Sequence, residues 1–212
     1  MVIIGAGAAG LMCAIEAGKR GRHVLVLDHA KKLGEKIRIS GGGCYNFTNL
    51  HAEAEKFLSQ NPHFCKSALR QYSQHDFIDS LVPHRIGFHE KKLEQLFCDN
   101  SSQDIIAMLQ KECAGACANI RLNQYISDIS QRDAGFVVKG NFPEINSKSL
   151  VIATGGLSIP KIGATGFGYQ IAQKFVLTIV PTRPGLVPLT FDADMLTLCE
   201  SLSGLSVEAS VQ

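Results

Sequence analysis

No run of apolar residues in this 212-residue chain approaches the roughly 20 needed to cross a bilayer as a helix. The first apolar run is short, has no basic flank and turns at once into glycines, so the pattern of a secretory leader is missing too. Excess charge is scarce. The 21 Lys and Arg stand against 19 Asp and Glu, leaving +2 at pH 7, too little to point to nucleic acid or a membrane surface as a partner. The seven cysteines (Cys13, Cys44, Cys65, Cys98, Cys113, Cys117 and Cys199) are odd in number and follow no disulfide framework. They are expected to be reduced thiols of a cytoplasmic protein. Five of the seven histidines, His51, His63, His75, His84 and His89, fall between Leu50 and Glu94 without forming an HxH or HExxH pair. His89-Glu90 begins the second motif, but Leu93 stands where its second histidine belongs, and no metal site is expected. Ser40 lacks a GxSxG elbow, and no catalytic acid, base or nucleophile can be named.

What is present is globular: 45% hydrophobic and 19% charged residues, in a length suited to one domain or one and a half. Val2 to Ile4 has the pattern of a short buried strand, Ala8 to Arg20 of a helix rich in small residues, and His23 to Leu27 of a second strand. The βαβ unit so formed places Gly5-Ala6-Gly7-Ala8-Ala9-Gly10 at the turn from strand to helix. In such a turn the first glycine allows the tight bend, the second lets backbone approach a pyrophosphate, and the third lets the helix pack close to the sheet. The helix start adds N–H groups and a partial positive charge. Asp28 closes the second strand, 18 residues beyond Gly10, placed to accept hydrogen bonds from a ribose diol. A dinucleotide site is expected here, and the motif alone leaves FAD and NAD both open.

Two further stretches suit such a ligand. Ser40-Gly41-Gly42-Gly43-Cys44-Tyr45-Asn46-Phe47-Thr48-Asn49 combines three glycines with an Asn/Thr ladder. A loop with so little side chain can lie against a pyrophosphate or a flat polar ring. Leu150-Val151-Ile152 then stops on Ala153-Thr154-Gly155-Gly156, as a strand does when its end must let backbone near a nucleotide.

The GAGAAG turn, the KIRISGGGCYNFTN loop and the LVIATGG strand, in this order, resemble the bacterial FAD-dependent oxidoreductases of the BaiN-type, aminoacetone-oxidase-like family. So do the stretches at 88–109 and 155–175. The resemblance implies an α/β fold: a Rossmann-like FAD-binding domain over 1–180, with a helical insertion at about 50–115 and a small β-meander. The start of a second, β-rich domain would follow at 181–212. It places Gly5, Gly7, Ala8, Ala9 and Gly10 at the pyrophosphate and Asp28 at the ribose. Lys36 with Ser40, Gly41, Gly42 and Gly43 would lie along the pyrophosphate and ribityl chain, and Asn46 would approach the flavin. Ile126 would meet adenine through its backbone, while Ala153, Thr154 and Gly155 would close over the nucleotide. The implied cofactor is FAD, with NADH or NADPH as reductant and a small molecule of unknown identity as substrate.

Two local departures stand out. Cys44 directly follows the glycine triplet and Tyr45 precedes Asn46, which re-aims the cysteine. Val176 stands where the family has a glycine that ends the preceding helix, removing an αL cap at a cost of about 1 kcal/mol.

The remaining stretches contribute less. Ser101-Ser102 reads as the N-cap of a helix that follows, with Cys113 and Cys117 at its end as packing residues. Ile120 to Ile126 and Gly135 to Lys139 read as strands of the meander. Pro181, Pro184 and Pro188 mark an exit from the first domain. The alternation of Leu205, Val207, Ala209 and Val211 has the pattern of a half-buried strand. The expectation is therefore the N-terminal half of a flavoenzyme that passes hydride between NAD(P)H or another small donor and a substrate, needing a C-terminal half in cis or in trans. The alternative is a nonenzymatic FAD-binding remnant of an interrupted gene.

Overall fold

The computed structural model describes residues 1–159, 162–185 and 190–205. It divides into two units, Met1–Leu177 and Thr178–Gln212. No described helix is long and apolar enough to cross a membrane.

The first unit is built on four parallel strands. These are β1 (Val2–Ile4), β2 (Leu25–Leu27), β6 (Asn119–Arg121) and β10 (Leu150–Ile152), in the order β10-β1-β2-β6. Ile3 pairs with Val26 on one side and Val151 on the other, and Val26 pairs with Ile120. In chain order this is 4-1-2-3, the doubly wound arrangement whose order reverses beside β1. Side chains alternate along β1 as a pleated strand requires. Ile3 and Val26 face one core with Leu11 and Ala14 of α1 (Ala8–Lys19) and with Ile105 and Leu109 of α5 (Ser102–Gly115). Val2, Ile4 and Leu27 face a second core with Ile129, Val138 and Ile171. Each fully buried Leu or Ile contributes about 1.5–3 kcal/mol, so the sheet is held from both sides.

The second core is roofed by an antiparallel meander of β7 (Ile126–Arg132), β8 (Gly135–Gly140) and β9 (Ile145–Ser147), and by α6 (Phe167–Lys174). Ile120 had been expected among the meander strands. It belongs instead to β6 at the edge of the parallel sheet, and the meander begins at Ile126.

The segment expected to be a helical insertion carries a sheet of its own. Strands β3 (Asn46–Asn49), β5 (Gln95–Cys98) and β4 (Phe88–Glu90) pair antiparallel in that order, with Asn46 opposite Phe97. Between β3 and β4 lie α3 (Lys66–Gln71) and α4 (Gln74–Leu81), the latter opened by a capping box between Ser73 and Asp76. Leu81 and Cys98 pack into the first core and anchor this excursion.

The helix α6 ends in a complete left-handed cap despite lacking glycine. Val176 adopts φ 61°, its N–H donates to the Gln173 oxygen and that of Leu177 to the Ala172 oxygen, the pair of hydrogen bonds of a Schellman motif. The cap expected to be lost is thus made by a β-branched residue under strain.

In the second unit the one described element is α7 (Ala193–Ser201), capped by Asp192 accepting from the N–H of Met195 at 2.9 Å. The expected β-rich start is met there by a helix. The alternation ending at Val211 lies beyond Leu205 outside the described residues, as does Pro188.

Candidate functional site

The carboxyl ends of the parallel strands converge, and backbone bonds lock them together. The N–H of Gly5 donates to Leu27 at 2.8 Å, that of Ala153 to Ile4 at 2.7 Å and that of Gly34 to Ala6 at 3.1 Å. Gly5 takes φ 109°, and a Cβ there would lie 2.3 Å from the Ala153 oxygen. A Cβ on Gly10 would lie 1.9 Å from the Gly5 oxygen. Both glycines are demanded by packing. Gly7 differs: a Cβ there meets nothing within 4 Å, so a ligand can approach its backbone.

Gly7 is also the N-cap of α1, and no side chain caps it. The first turn carries no acid, and Ala8 and Ala9 are exposed. The first N–H groups of a helix have no intrahelical acceptor, and the positive end of the helix dipole is uncompensated. The arrangement fits a diphosphate.

Asp28 follows β2 directly. One carboxylate oxygen accepts from the N–H of Ala6 at 2.5 Å, the other from the N–H of Ala30 at 2.8 Å. These bonds fix the carboxylate against the glycine turn. Beside it opens a cavity of about 300 Å³, lined by Gly5, Asp28, Ile126 and Thr154 together with His29, Gln124, Tyr125, Gly163, Thr165 and Phe167. Mostly apolar walls with one fixed carboxylate suit an adenosine whose ribose hydroxyls reach Asp28.

Lys36 lies on α2 (Glu35–Ile39) and reaches across to the loop after β10. It donates to the Gly156 oxygen at 3.2 Å and to the Ser158 hydroxyl at 2.8 Å, and Gly155 lies against its ammonium. Ser40 to Gly43 form a kinked turn immediately after α2, with Gly41 and Gly42 left-handed. They and Asn46 do not line the cavity beside Asp28. They stand beside β5 instead, where Gly41 abuts the Phe97 ring and the Cys98 N–H donates to the Cys44 oxygen at 3.1 Å.

The re-aimed cysteine has a structural counterpart. Tyr45 takes φ 53° and packs its ring against the first core, leaving Cys44 exposed. Burial raises the pKa of the Tyr45 phenol. Burial also pushes the Cys98 and Cys113 thiols up to about 11, so neither is a thiolate at neutral pH. Cys113 spends its S–H on the Leu11 oxygen. All seven cysteines are free. Of the histidines, His51, His84 and His89 pair with Glu94, Glu112 and Asp99. Among the described residues no three His, Cys, Asp or Glu side chains cluster as a metal site would require.

Eight cavity residues are not among the site residues expected from the sequence: Ile4 and Leu27 at the strand ends, and His29, Gln124, Tyr125, Gly163, Thr165 and Phe167. The ATGFGY run at 164–169 was the one available signal, a glycine-punctuated helix start like that after β1.

A family model for the HI0933-like protein Rossmann domain matches residues 1–208. The ribosomal RNA dihydrouridine synthase of Escherichia coli (strain K12) is 49% identical over 99% of this chain and 52% of its own length. The 3-dehydro-bile acid delta(4,6)-reductase of Clostridium scindens is 25% identical over 88% of this chain and 46% of its own. The chain therefore spans about half the length of the curated relatives it matches. An open-conformation flavocytochrome c3 fumarate reductase has a TM-score of 0.55 at 22% identity, covering 82% of this chain and 39% of that one. That likeness carries the fold alone. The narrower BaiN-type resemblance widens to the family that the model describes: this chain belongs to the HI0933-like Rossmann-domain proteins.

Proposed function

We propose that this chain is the cofactor-binding part of an FAD-dependent oxidoreductase that saturates a carbon–carbon double bond conjugated to a carbonyl, and that its substrate is uridine in ribosomal RNA. The observation that carries the cofactor reading is the convergence of the uncapped Gly7 turn, the fixed Asp28 carboxylate and the adenosine-sized cavity at the strand order's reversal point. The substrate reading is supported by chemistry common to two relatives. Dihydrouridine is uridine whose C5=C6 bond, conjugated to the C4 carbonyl, has been reduced. A 3-dehydro delta(4,6) acid likewise carries double bonds conjugated to a ketone.

In this reading Asp28 orients the ribose and the start of α1 holds the diphosphate. Lys36 ties α2 to the loop after β10, so the glycine triplet and Asn46 are presented at the flavin end. When bound there, a reduced flavin would supply the hydride for one carbon of the double bond while solvent would supply the proton for the other, with NADH or NADPH as the reductant that would regenerate it. The seven free thiols suit a cytoplasmic setting.

The test begins with the intact protein incubated with FAD, desalted and read by visible absorption. Retained flavin bands that bleach with NADPH or NADH, followed by dihydrouridine in nuclease-digested ribosomal RNA, are expected. A folded but colourless protein would remove the cofactor reading. A flavoprotein that bleaches yet leaves ribosomal uridine unchanged would keep the oxidoreductase and remove the substrate.

A further inference from the structure

Strand β3 leads away from the glycine triplet at Asn46, and the chain returns to the same sheet at Phe88. Between them, residues 56–75 carry Lys56, His63, Lys66, Arg70 and His75 and not one aspartate or glutamate. All five basic side chains are exposed. Among the described residues, Lys56, Lys66 and Arg70 have no carboxylate partner. Lys66 and Arg70 stand four apart on α3, hence on one face, where like charges repel. The carboxylates nearest in sequence, Glu53 and Glu55 before the stretch and Asp76 and Asp79 after it, form no ion pair with these three among the described residues.

Aromatic rings are interleaved with these cations and left in solvent. Phe57 is 48% exposed, Phe64 82% and Tyr72 41%, with Leu58 at 95%. Each ring lies within two residues of a cation: Phe57 after Lys56, Phe64 before Lys66, Tyr72 after Arg70. Phe57 and Lys56 also share a cavity of about 410 Å³ with Asn49, His51, Ala52 and Leu93. That cavity sits where β3 ends, about 10 Å along the strand from Asn46 at roughly 3.3 Å per residue.

A purely apolar partner would satisfy the rings and leave three cations unmatched. A polyanion with planar faces satisfies both, because bases stack on aromatic rings while phosphates take the cations. We propose that residues 56–75, with the cavity between Phe57 and Leu93, hold the single-stranded RNA that brings the target uridine toward the glycine triplet. This rests on the uridine reading above.

The test measures binding of a short fluorescein-labelled oligouridylate to the intact protein by anisotropy, between about 50 and 200 mM salt. Three variants are compared with wild type: the triple K56Q/K66Q/R70Q, the double F57S/F64S, and a distant surface control, R132Q. Flavin absorption checks that each variant remains folded. With single strands contributing a slope of about 0.7 per neutralised phosphate, the triple variant is expected to lose about 2 from the salt dependence. The double variant is expected to bind about tenfold more weakly with its slope unchanged, and the control to match wild type. Wild-type affinity and slope in both test variants, with ribosomal RNA still gaining dihydrouridine, would overturn the RNA surface and leave the uridine reading standing. Absence of dihydrouridine from the wild-type reaction would overturn the uridine reading itself. Hydroxyl-radical footprinting separates the remaining occupant: Leu58 and Phe64 already protected in the intact protein without RNA would mean that other protein covers them, and would overturn the proposal.

Discussion

In the turn from Gly5 to Gly10, a side chain at the first or third glycine would run into backbone; in the turn from Gly41 to Gly43, the second and third glycines face open space. Both stretches are glycine triads in the sequence, and the proposed function gives both to the same dinucleotide. The first is set by packing, because strand ends and a helix must meet without side chains between them. The second is set chiefly by backbone conformation, with left-handed φ values of 60°, 69° and 96°; Gly41 is also pressed by the Phe97 ring, while Gly42 and Gly43 have room above them. One turn is thus closed to side chains and the other largely open to them.

Breaking the packed turn gives the largest effect. In Gly10→Ala the new methyl falls 1.9 Å from the Gly5 oxygen, and neither backbone can yield without opening the strand-to-helix junction. A loss of at least about 3 kcal/mol is expected, a fall of roughly 6–12 °C in a melt followed by circular dichroism. A melt within about 2 °C of wild type would erase the distinction between the two turns.

The next effect comes from the carboxylate that fastens the packed turn. Asp28→Asn keeps one acceptor and turns the other into a donor facing a backbone N–H. Losing a charge-assisted bond and leaving that N–H unmatched costs about 2 kcal/mol. The same variant holds FAD more weakly in a fluorescence titration. If stability falls while flavin affinity stays at the wild-type value, Asp28 serves the turn alone.

How much of this was legible in one dimension follows the same division. The elements around the packed turn could be read locally, because β1, β2 and β10 are continuous apolar stretches and α1 is rich in small and apolar residues. The edge strand β6 could not. Its Asn-Ile-Arg has a single apolar residue, as a meander strand would, and what distinguishes it is pairing with Leu25–Leu27, far away in the chain. Strands β3, β4 and β5 were hidden for a related reason: β3 meets β5 across more than forty intervening residues, and Phe88–Glu90 is exposed throughout. The second cavity wall brings together Gln124 and Tyr125, just before β7, and Phe167 at the start of α6, segments about forty residues apart in the chain. The overall charge of +2 likewise averaged away the unpaired cations of 56–75.

Conformation without packing should give smaller effects, of either sign. Gly42→Ala places a methyl in open space but holds an L-residue at φ 69°, for a loss of about 1 kcal/mol. Val176→Gly is the mirror case. It relieves a β-branched residue at φ 61° while keeping the cap bonds to Gln173 and Ala172, and is expected to gain about 1 kcal/mol, roughly 2–4 °C. A destabilised Val176→Gly would mean that the side chain, though 91% exposed, makes a contact worth more than its strain.

Gly7→Ala should change stability least and discriminate most. The φ of −85° suits any residue, and no atom lies within 4 Å of the new methyl. Alanine is a poorer N-cap than glycine, but it also restricts the unfolded chain, and the two offset to within about 0.5 kcal/mol. The protein without flavin should therefore melt as wild type does. With FAD the methyl occupies the line along which a pyrophosphate must approach the helix start, and affinity should fall about tenfold or more. Gly10 and Gly7 are three residues apart in one motif, yet the first would fail in the melt and the second only in the titration. An unchanged flavin affinity in Gly7→Ala would place the diphosphate elsewhere and leave the open glycine triplet after α2 as its remaining support.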